Sequence, residues 1–375
     1  MSALLEVARR LEALLAARLG AEPDEPGVVH PLLPGADEQA LAAVRAAVGG
    51  SVGDLEVDRL DDTLEALAGA AGVGPAETHV LAAAVLVNLD DRIGRAVGLL
   101  HDDVSRTRPS AGLLCRLLED VAPRAAVLEA AGPGGALEHR GLVEITGAYG
   151  DPDAPLASRE VALHPRVVAA LLRGGALEDP DPAWTGVLAL EDAVGGVFGT
   201  TIGAGSSRAG SDDGEEGEDG EGDVLRRLLD ASVDGRVVGL LRVGADVEQA
   251  LDPARAFAHA EGLGVLRVDL AAAQARGAAG DALLRAVRRE SILAAALPVW
   301  TRLPSREALA DPEAQRRLAH LLLAAPAPLL VHAEHWWTPP ADLPLVLVQQ
   351  QAAAPGFHDR RALWAAPDGA TPPAG

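Results

Sequence analysis

The chain predicts a multidomain α + α/β protein, with a helical N-terminal part, an acidic linker and a C-terminal parallel α/β module. Three observations carry this expectation. From Ser2 to Leu118 apolar residues recur mostly at helical spacing between glycine and proline stops. Residues 211–223, SDDGEEGEDGEGD, offer little beyond glycine and carboxylates, which cannot bury surface and therefore read as a solvated linker. After that stretch the rhythm becomes strand, helix, strand, helix, the pattern of a mostly parallel sheet covered on both faces.

The elements follow in order. Ser2 to Gly20 reads as one helix with Gly20 as its stop; a Pro-rich link, EPDEPGVVHPLLPG, precedes a second helix from Asp37 to Val48. VDRLDDTLEALAGAAG ends in glycine, GPAETHVLAAAVLVNLDD opens with Pro75 in a first-turn position, and RPSAGLLCRLLEDV starts behind a serine cap. In GLVEITG, Leu142, Glu144 and Thr146 alternate with Val143 and Ile145 as in a half-buried strand, and VALHPRVVAALLRGG returns to helix with Gly174 as its stop. Helices followed by a short strand pair suggest a winged-helix-like domain. In the second half, 237–243, 265–270, 298–303, 329–333 and 345–348 read as strands, with helices at 253–261, 281–296 and 312–324 between them. The expected domains are 1–50 (helices and link), 51–205 (helical winged-helix-like domain), 206–223 (linker), 224–366 (α/β module) and 367–375 (disordered tail).

Composition excludes several classes. The 375 residues are enough for two domains with proper cores. Cys115 is the single cysteine, so neither an intrachain disulfide nor a multi-thiolate zinc site is available, and its apolar helix makes it a buried structural thiol. There are 55 acidic against 32 basic residues, a net charge of −23, and every basic residue apart from histidine is arginine. Such a surface repels nucleic acid and anionic lipid. No apolar run reaches the ~18 residues of a membrane span, and the opening MSALLEVARRLEALLAARLG lacks the basic stub and apolar block of a signal peptide. A cytoplasmic, soluble protein is expected.

Two stretches, THVLAAAVLVNLDDRIGRAVGLLHDDVSRTRPSAGLLCRLLEDVAP and LHPRVVAALLRGGALEDPDPAW, resemble the winged-helix-variant region of the AAA+ ATPases encoded with extracellular contractile injection systems, the phage-tail-like particles of bacteria. The Thr-Arg-Pro-Ser turn into a leucine-rich helix, with HPRVVAALLRG downstream, is the most telling part. The resemblance implies that residues 224–366 are a degenerate AAA+-like, P-loop-type module, in which FHDRRALW is similar to a recurring helix start. The family's second module, with intact motifs, has no counterpart before the chain ends in APDGATPPAG.

A P-loop, G-x-x-x-x-G-K-[ST], needs two glycines so that amides close around an oxyanion, a lysine for the outer phosphates and a hydroxyl for magnesium. Counting from Gly244, Gln249 stands for the second glycine, Ala250 for the lysine and Leu251 for the hydroxyl. Asp246 and Glu248 add carboxylates where phosphate charges would come. Like charges about 4 Å apart cost about 1 kcal/mol in water and more when partly buried. Asp246 with Gln249 instead matches a capping box. The strand placed for a Walker B motif ends in Trp300, Thr301 and Arg302 rather than acids, and Asp269 comes too soon after the loop and reads as a strand end. No nucleotide cofactor and no ATP hydrolysis are expected.

Other clusters are weaker. VHAEHWWTPP gathers His332, Glu334 and His335, but misses H-x-x-E-H by one residue, and on a strand His335 points away from the other two. Trp336 and Trp337 are candidate partner contacts or packing residues; Arg106, Arg108 and Arg116 flank the family-like turn, where a winged-helix domain would touch DNA although the overall charge opposes it, and Arg106 and Arg108 are also candidate partner contacts. Carboxylates near Asp212 do not fit a calcium loop, and GTTIGAGSS, residues 199–207, reads as a flexible loop. The leading expectation is an adaptor or assembly subunit of a contractile injection system without catalysis, contacting an active AAA+ subunit or the particle, with its oligomeric state open. Two readings stay beside it: the front part of an ATPase whose active module lies elsewhere, and a winged-helix DNA-binding regulator.

Overall fold

The computed structural model describes residues 2–20, 36–52, 55–191, 236–277 and 280–352. The Pro-rich link, the linker 206–223, GTTIGAGSS, FHDRRALW and the tail 367–375 lie outside the described residues. The chain divides into two compact units. The first holds residues 1–183, 193–205 and 285–296, and the second holds 184–192, 206–284 and 297–375. Neither is contiguous in sequence.

The first unit is mainly helical. It contains α1 (Ala3–Gly20), α2 (Ala36–Val48), a two-residue antiparallel pair β1 (Ser51–Val52) and β2 (Leu55–Glu56), α3 (Val57–Ala71), α4 (Pro75–Leu89), α5 (Asp91–Leu100), α6 (Ala111–Leu117), α7 (Arg124–Ala130) and α8 (Ala136–His139). The strands β3 (Val143–Thr146) and β4 (Glu160–Leu163) follow, then α9 (Pro165–Arg173). α4 shows why it sits in the middle. Residues 80–86, VLAAAVL, are all buried, which removes any polar face and leaves burial on every side as the stable solution. Leu4, Leu11, Leu15 and Val44 of the first two helices join one continuous core with Leu64, Leu81, Ile93 and Leu114.

Caps fix the helix ends. The buried carboxylate of Asp61 accepts the Leu4 N–H at 3.1 Å, satisfying an orphan amide at the start of α1. Ser110 Oγ accepts the Leu113 N–H at 3.2 Å, and Pro75 and Pro165 open α4 and α9. β3 and β4 pair antiparallel from Val143↔Leu163 to Thr146↔Glu160, as the alternating pattern anticipates for β3. VAL of VALHPR is strand rather than helix, because Val161 pairs with Ile145 and the helix begins only behind the His164 cap and Pro165. Cys115 is buried, and desolvation pushes its thiol pKa up.

A charged cluster is buried in this unit. Glu290, fully buried, receives Arg166 at 2.7 Å and Arg289 at 2.9 Å, and Arg289 also reaches Asp181 at 2.6 Å. Arg289 Nη1 lies 3.0 Å from His164 Nε2, while His164 Nδ1 accepts the Arg166 N–H. Burial and then the Arg289 charge hold the His164 pKa below its ordinary value.

The second unit is built on a six-stranded sheet. Its members are β5 (Leu188–Glu191), β6 (Val237–Val243), β7 (Gly264–Asp269), β8 (Ala296–Thr301), β9 (Leu329–Ala333) and β10 (Leu345–Gln351), in the order β10-β6-β9-β8-β7-β5. Pairs β10–β6, β6–β9 and β8–β9 are parallel, and β5 runs antiparallel to β7. The helices are α10 (Val247–Glu261), α11 (Leu270–Ala275) and α13 (Pro312–Leu323), while α12 (Asp281–Leu293) starts in this unit and from Arg285 onward belongs to the first. The five strands read from the sequence are present with ends shifted by at most three residues. Two readings need correction. α10 starts behind Asp246, not at Pro253, which lies within the helix on its buried side, because the cap at Asp246 nucleates the helix earlier. β5 gives no sequence signal, since four residues are too few for a period of two to stand out. No described helix is long and apolar enough to cross a membrane.

Glu290→Gln removes the anion between two guanidinium groups and is expected to destabilise the first unit by about 3–5 kcal/mol. Ser110→Ala removes one cap and is expected to cost about 1 kcal/mol. Urea unfolding followed by circular dichroism ranks the two.

Candidate functional site

In an open parallel sheet, ligands bind at the carboxyl ends of the strands where the chain's direction of travel reverses. Here the connection after β6 leads past β9 and β8 to β7, whereas the connection after β9 leads back beyond β6 to β10. The crevice between the carboxyl ends of β6 and β9 is therefore the site the topology provides, and Gly244 stands in it.

That crevice is closed by the protein's own hydrogen bonds. The Gly244 N–H donates to Ala333 O at 3.0 Å, and Ala352 N–H donates to Val243 O at 2.8 Å. His332 Nε2 lies 2.9 Å from Gly244 O. A carbonyl only accepts, so Nε2 carries the proton, and Nδ1 has no partner. Burial, ahead of the raising effect of the Gly244 carbonyl, holds the His332 pKa below its ordinary value. A side chain at position 244 would place its Cβ 2.8 Å from that of Ala352, so only glycine fits between the strand ends.

The loop's acids are also engaged. Asp246 caps α10 by accepting the Glu248 N–H at 2.9 Å, which is one residue earlier than the Gln249 partner expected for a capping box. Glu248 turns away from the crevice. It accepts Arg255 at 2.5 Å and Arg267 at 2.9 Å, and both arginines also hold Glu191, at 2.7 Å and 3.1 Å. The Arg255 hydrogen bond, with the two guanidinium charges, holds the Glu248 pKa below the usual carboxylate range against some desolvation. Desolvation opposes the charge on Arg255, but Glu248 and Glu191 outweigh it and raise its pKa. Four side chains thus tie the start of α10 to β7 and β5. Sequence reading missed this group; its only trace is Arg267, a charge set in the apolar strand VLRVD.

Ala250 and Leu251, at the places of the P-loop lysine and hydroxyl, are buried, and Gln249 is half-buried. The void between α10 and the sheet, lined by Leu240, Arg242, Ala250, Pro253 and His332 among others, is about 10 Å³. A single water needs at least about that much. Arg242 brings a guanidinium to the same face, where it donates to Gln350 at 3.0 Å.

The remaining candidates separate. Asp269 caps α11 through the Ala272 N–H at 2.9 Å and pairs with Arg302 at 3.0 Å, the arrangement of a strand-end cap. Thr301 donates to Val268 O and Trp300 is fully buried. His332 is buried, Glu334 exposed and His335 half-buried, and no group of three potential metal ligands occurs among the described residues. Trp337 is buried and Trp336 is 50% exposed. Arg106 is held by Glu160 at 2.8 Å and Ser158 O at 3.0 Å, while Arg108 and Arg116 are exposed. A separate cavity of about 490 Å³ is walled by Leu270, Leu283, Leu309 and Leu318, with Arg317 at its edge engaged by Glu313.

The depressed Glu248 pKa stabilises the fold above the ordinary value of 4.5, and this contribution is lost as pH falls through the lowered folded-state value. Glu248→Gln is therefore expected to lower stability at pH 7, by under about 1 kcal/mol because the side chain is largely exposed. The difference from the parent should close below pH 4.5. Thermal unfolding of both proteins across pH 3–7 reads it, at roughly half-unit steps.

Residues 54–180 match the family model for the winged helix domain, variant. No curated protein and no solved structure matches the chain. Over about a third of its length, then, the chain is similar to variant winged helix domains.

Proposed function

We propose that this chain is a non-catalytic adaptor or assembly subunit of a contractile injection system, acting in the cytoplasm through protein contacts. In this reading the first unit is the winged-helix-variant region and the second is a nucleotide-free relative of an AAA+ module. The winged-helix match over residues 54–180 supports the first part, alongside the Thr-Arg-Pro-Ser turn and HPRVVAALLRG. The partner in this reading is an active AAA+ subunit or the particle itself.

One observation carries the absence of catalysis. Of the groups that a phosphate or its magnesium shell would meet, the Gly244 N–H, the Gly244 carbonyl and the Glu248 N–H are bonded to Ala333, His332 and Asp246. The sequence supplies no lysine to draw a phosphate in against them. A second reading, the front part of an ATPase completed by another module, draws on the same topology, since Gly244 and α10 occupy the switch point where such a ligand sits.

Titration of the chain with magnesium ATP in a calorimeter separates the two. The expected result is no saturable heat corresponding to a Kd tighter than about 1 mM. Saturable micromolar binding that disappears in Gly244→Val would establish the ATPase reading instead.

A further inference from the structure

The two edges of the six-stranded sheet are finished differently. β5 closes one side: it is four residues long, and its last residue, Glu191, is gripped by Arg255 and Arg267. Short length and charge are the usual means by which an edge is kept from pairing with another chain. β10 closes the other side with neither. It runs for seven residues, LVLVQQQ, without a charge or a proline, in a chain of net charge −23.

The ladder defines the free side of β10. Val237 N–H donates to Pro344 O and Ala352 N–H donates to Val243 O, so the even-numbered residues of the strand turn their backbone groups to β6. Leu345, Leu347, Gln349 and Gln351 therefore turn theirs outward, where they have no partner among the described residues. On one face of the strand Val346 and Val348, 40% and 43% exposed, form an apolar strip. On the other, Gln349 Oε1 is shut off from solvent and has no hydrogen-bond partner.

We infer that β10 is an interface between two copies of this chain, paired antiparallel about a two-fold axis at Val348. In that register Leu345 lies opposite Gln351 of the second copy and Leu347 opposite its Gln349, so every outward N–H and C=O of both strands is bonded. Val348 meets its own counterpart in a close pair. The two Gln349 side chains become diagonal neighbours, within reach of each other, which supplies the orphan carboxamide oxygen with a donor. This self-complementarity selects a second copy as the occupant: uncharged strand meets uncharged strand, valine meets valine, carboxamide meets carboxamide. A strand bearing charge would leave it against the valine strip or the shut-off face, unpaired. Repulsion between two chains of −23 is screened beyond about 8 Å at about 0.15 M salt. The pairing involves the second unit and is independent of the proposed function.

Sedimentation of the full chain from about 1 to 100 μM at about 0.15 M salt reads the pairing. The expected result is a concentration-dependent equilibrium between monomer and dimer. Val348→Lys sets two ammonium groups opposite each other and should weaken dimerisation about tenfold, and Val348→Glu should do the same with two carboxylates. Circular dichroism should show both variants folded, since the side chain is partly exposed. Mixing the two in equal amounts should restore the dimer, because position 348 of one copy faces position 348 of the other. Val104→Lys, at an exposed valine of the first unit, should dimerise as the parent does. A parent that stays monomeric over the whole range overturns the inference, including the case in which the edge takes a strand from a different protein. Val348 variants that dimerise like the parent overturn it too, as does a mixture of the two that stays monomeric.

Discussion

A backbone amide makes one good hydrogen bond, and at the carboxyl end of β6 those of Gly244 and Glu248 are already made. Gly244 donates to Ala333, His332 donates back to Gly244, and Glu248 donates to Asp246. Inserting phosphates there would break these three bonds. Leaving the partly buried His332–Gly244 bond unsatisfied costs about 1–3 kcal/mol, whereas Asp246 and Glu248 are exposed and can turn to water. The sequence holds no lysine to offset that loss.

The closure is supported from outside the crevice. Arg255 and Arg267 share Glu191 and Glu248 and so fix the first turns of α10 against two strands. Expected repulsion between the loop's acids and an incoming phosphate is therefore only part of the account. Glu248 is neutralised by its arginines, and Asp246 faces its own helix. The engaged Gly244 and Glu248 groups stand beside charge in that account.

Much of the fold is legible in the sequence because its signals are local. Gly72 and Gly174 end helices in the left-handed conformation, Ser110 and Pro75 begin them, and the strands β6 and β9 stand where their apolar runs do. What escaped depends on distance along the chain. β5 is recognisable only through its partner β7, and the pairing of Arg255 with Glu191 spans 64 residues. The candidate site divides in the same way. The lost lysine and hydroxyl are plain at Ala250 and Leu251, whereas the bond from His332 to Gly244 crosses 88 residues and appears only once β6 and β9 are neighbours.

The central claim concerns hydrogen bonds, so amide exchange tests it most directly. Hydrogen exchange of Gly244 and Glu248, measured by NMR with and without magnesium ATP, should show both amides protected in the free protein and unchanged by the nucleotide. Fast exchange at these two positions that becomes slow when magnesium ATP is added would show an open phosphate site and contradict the account.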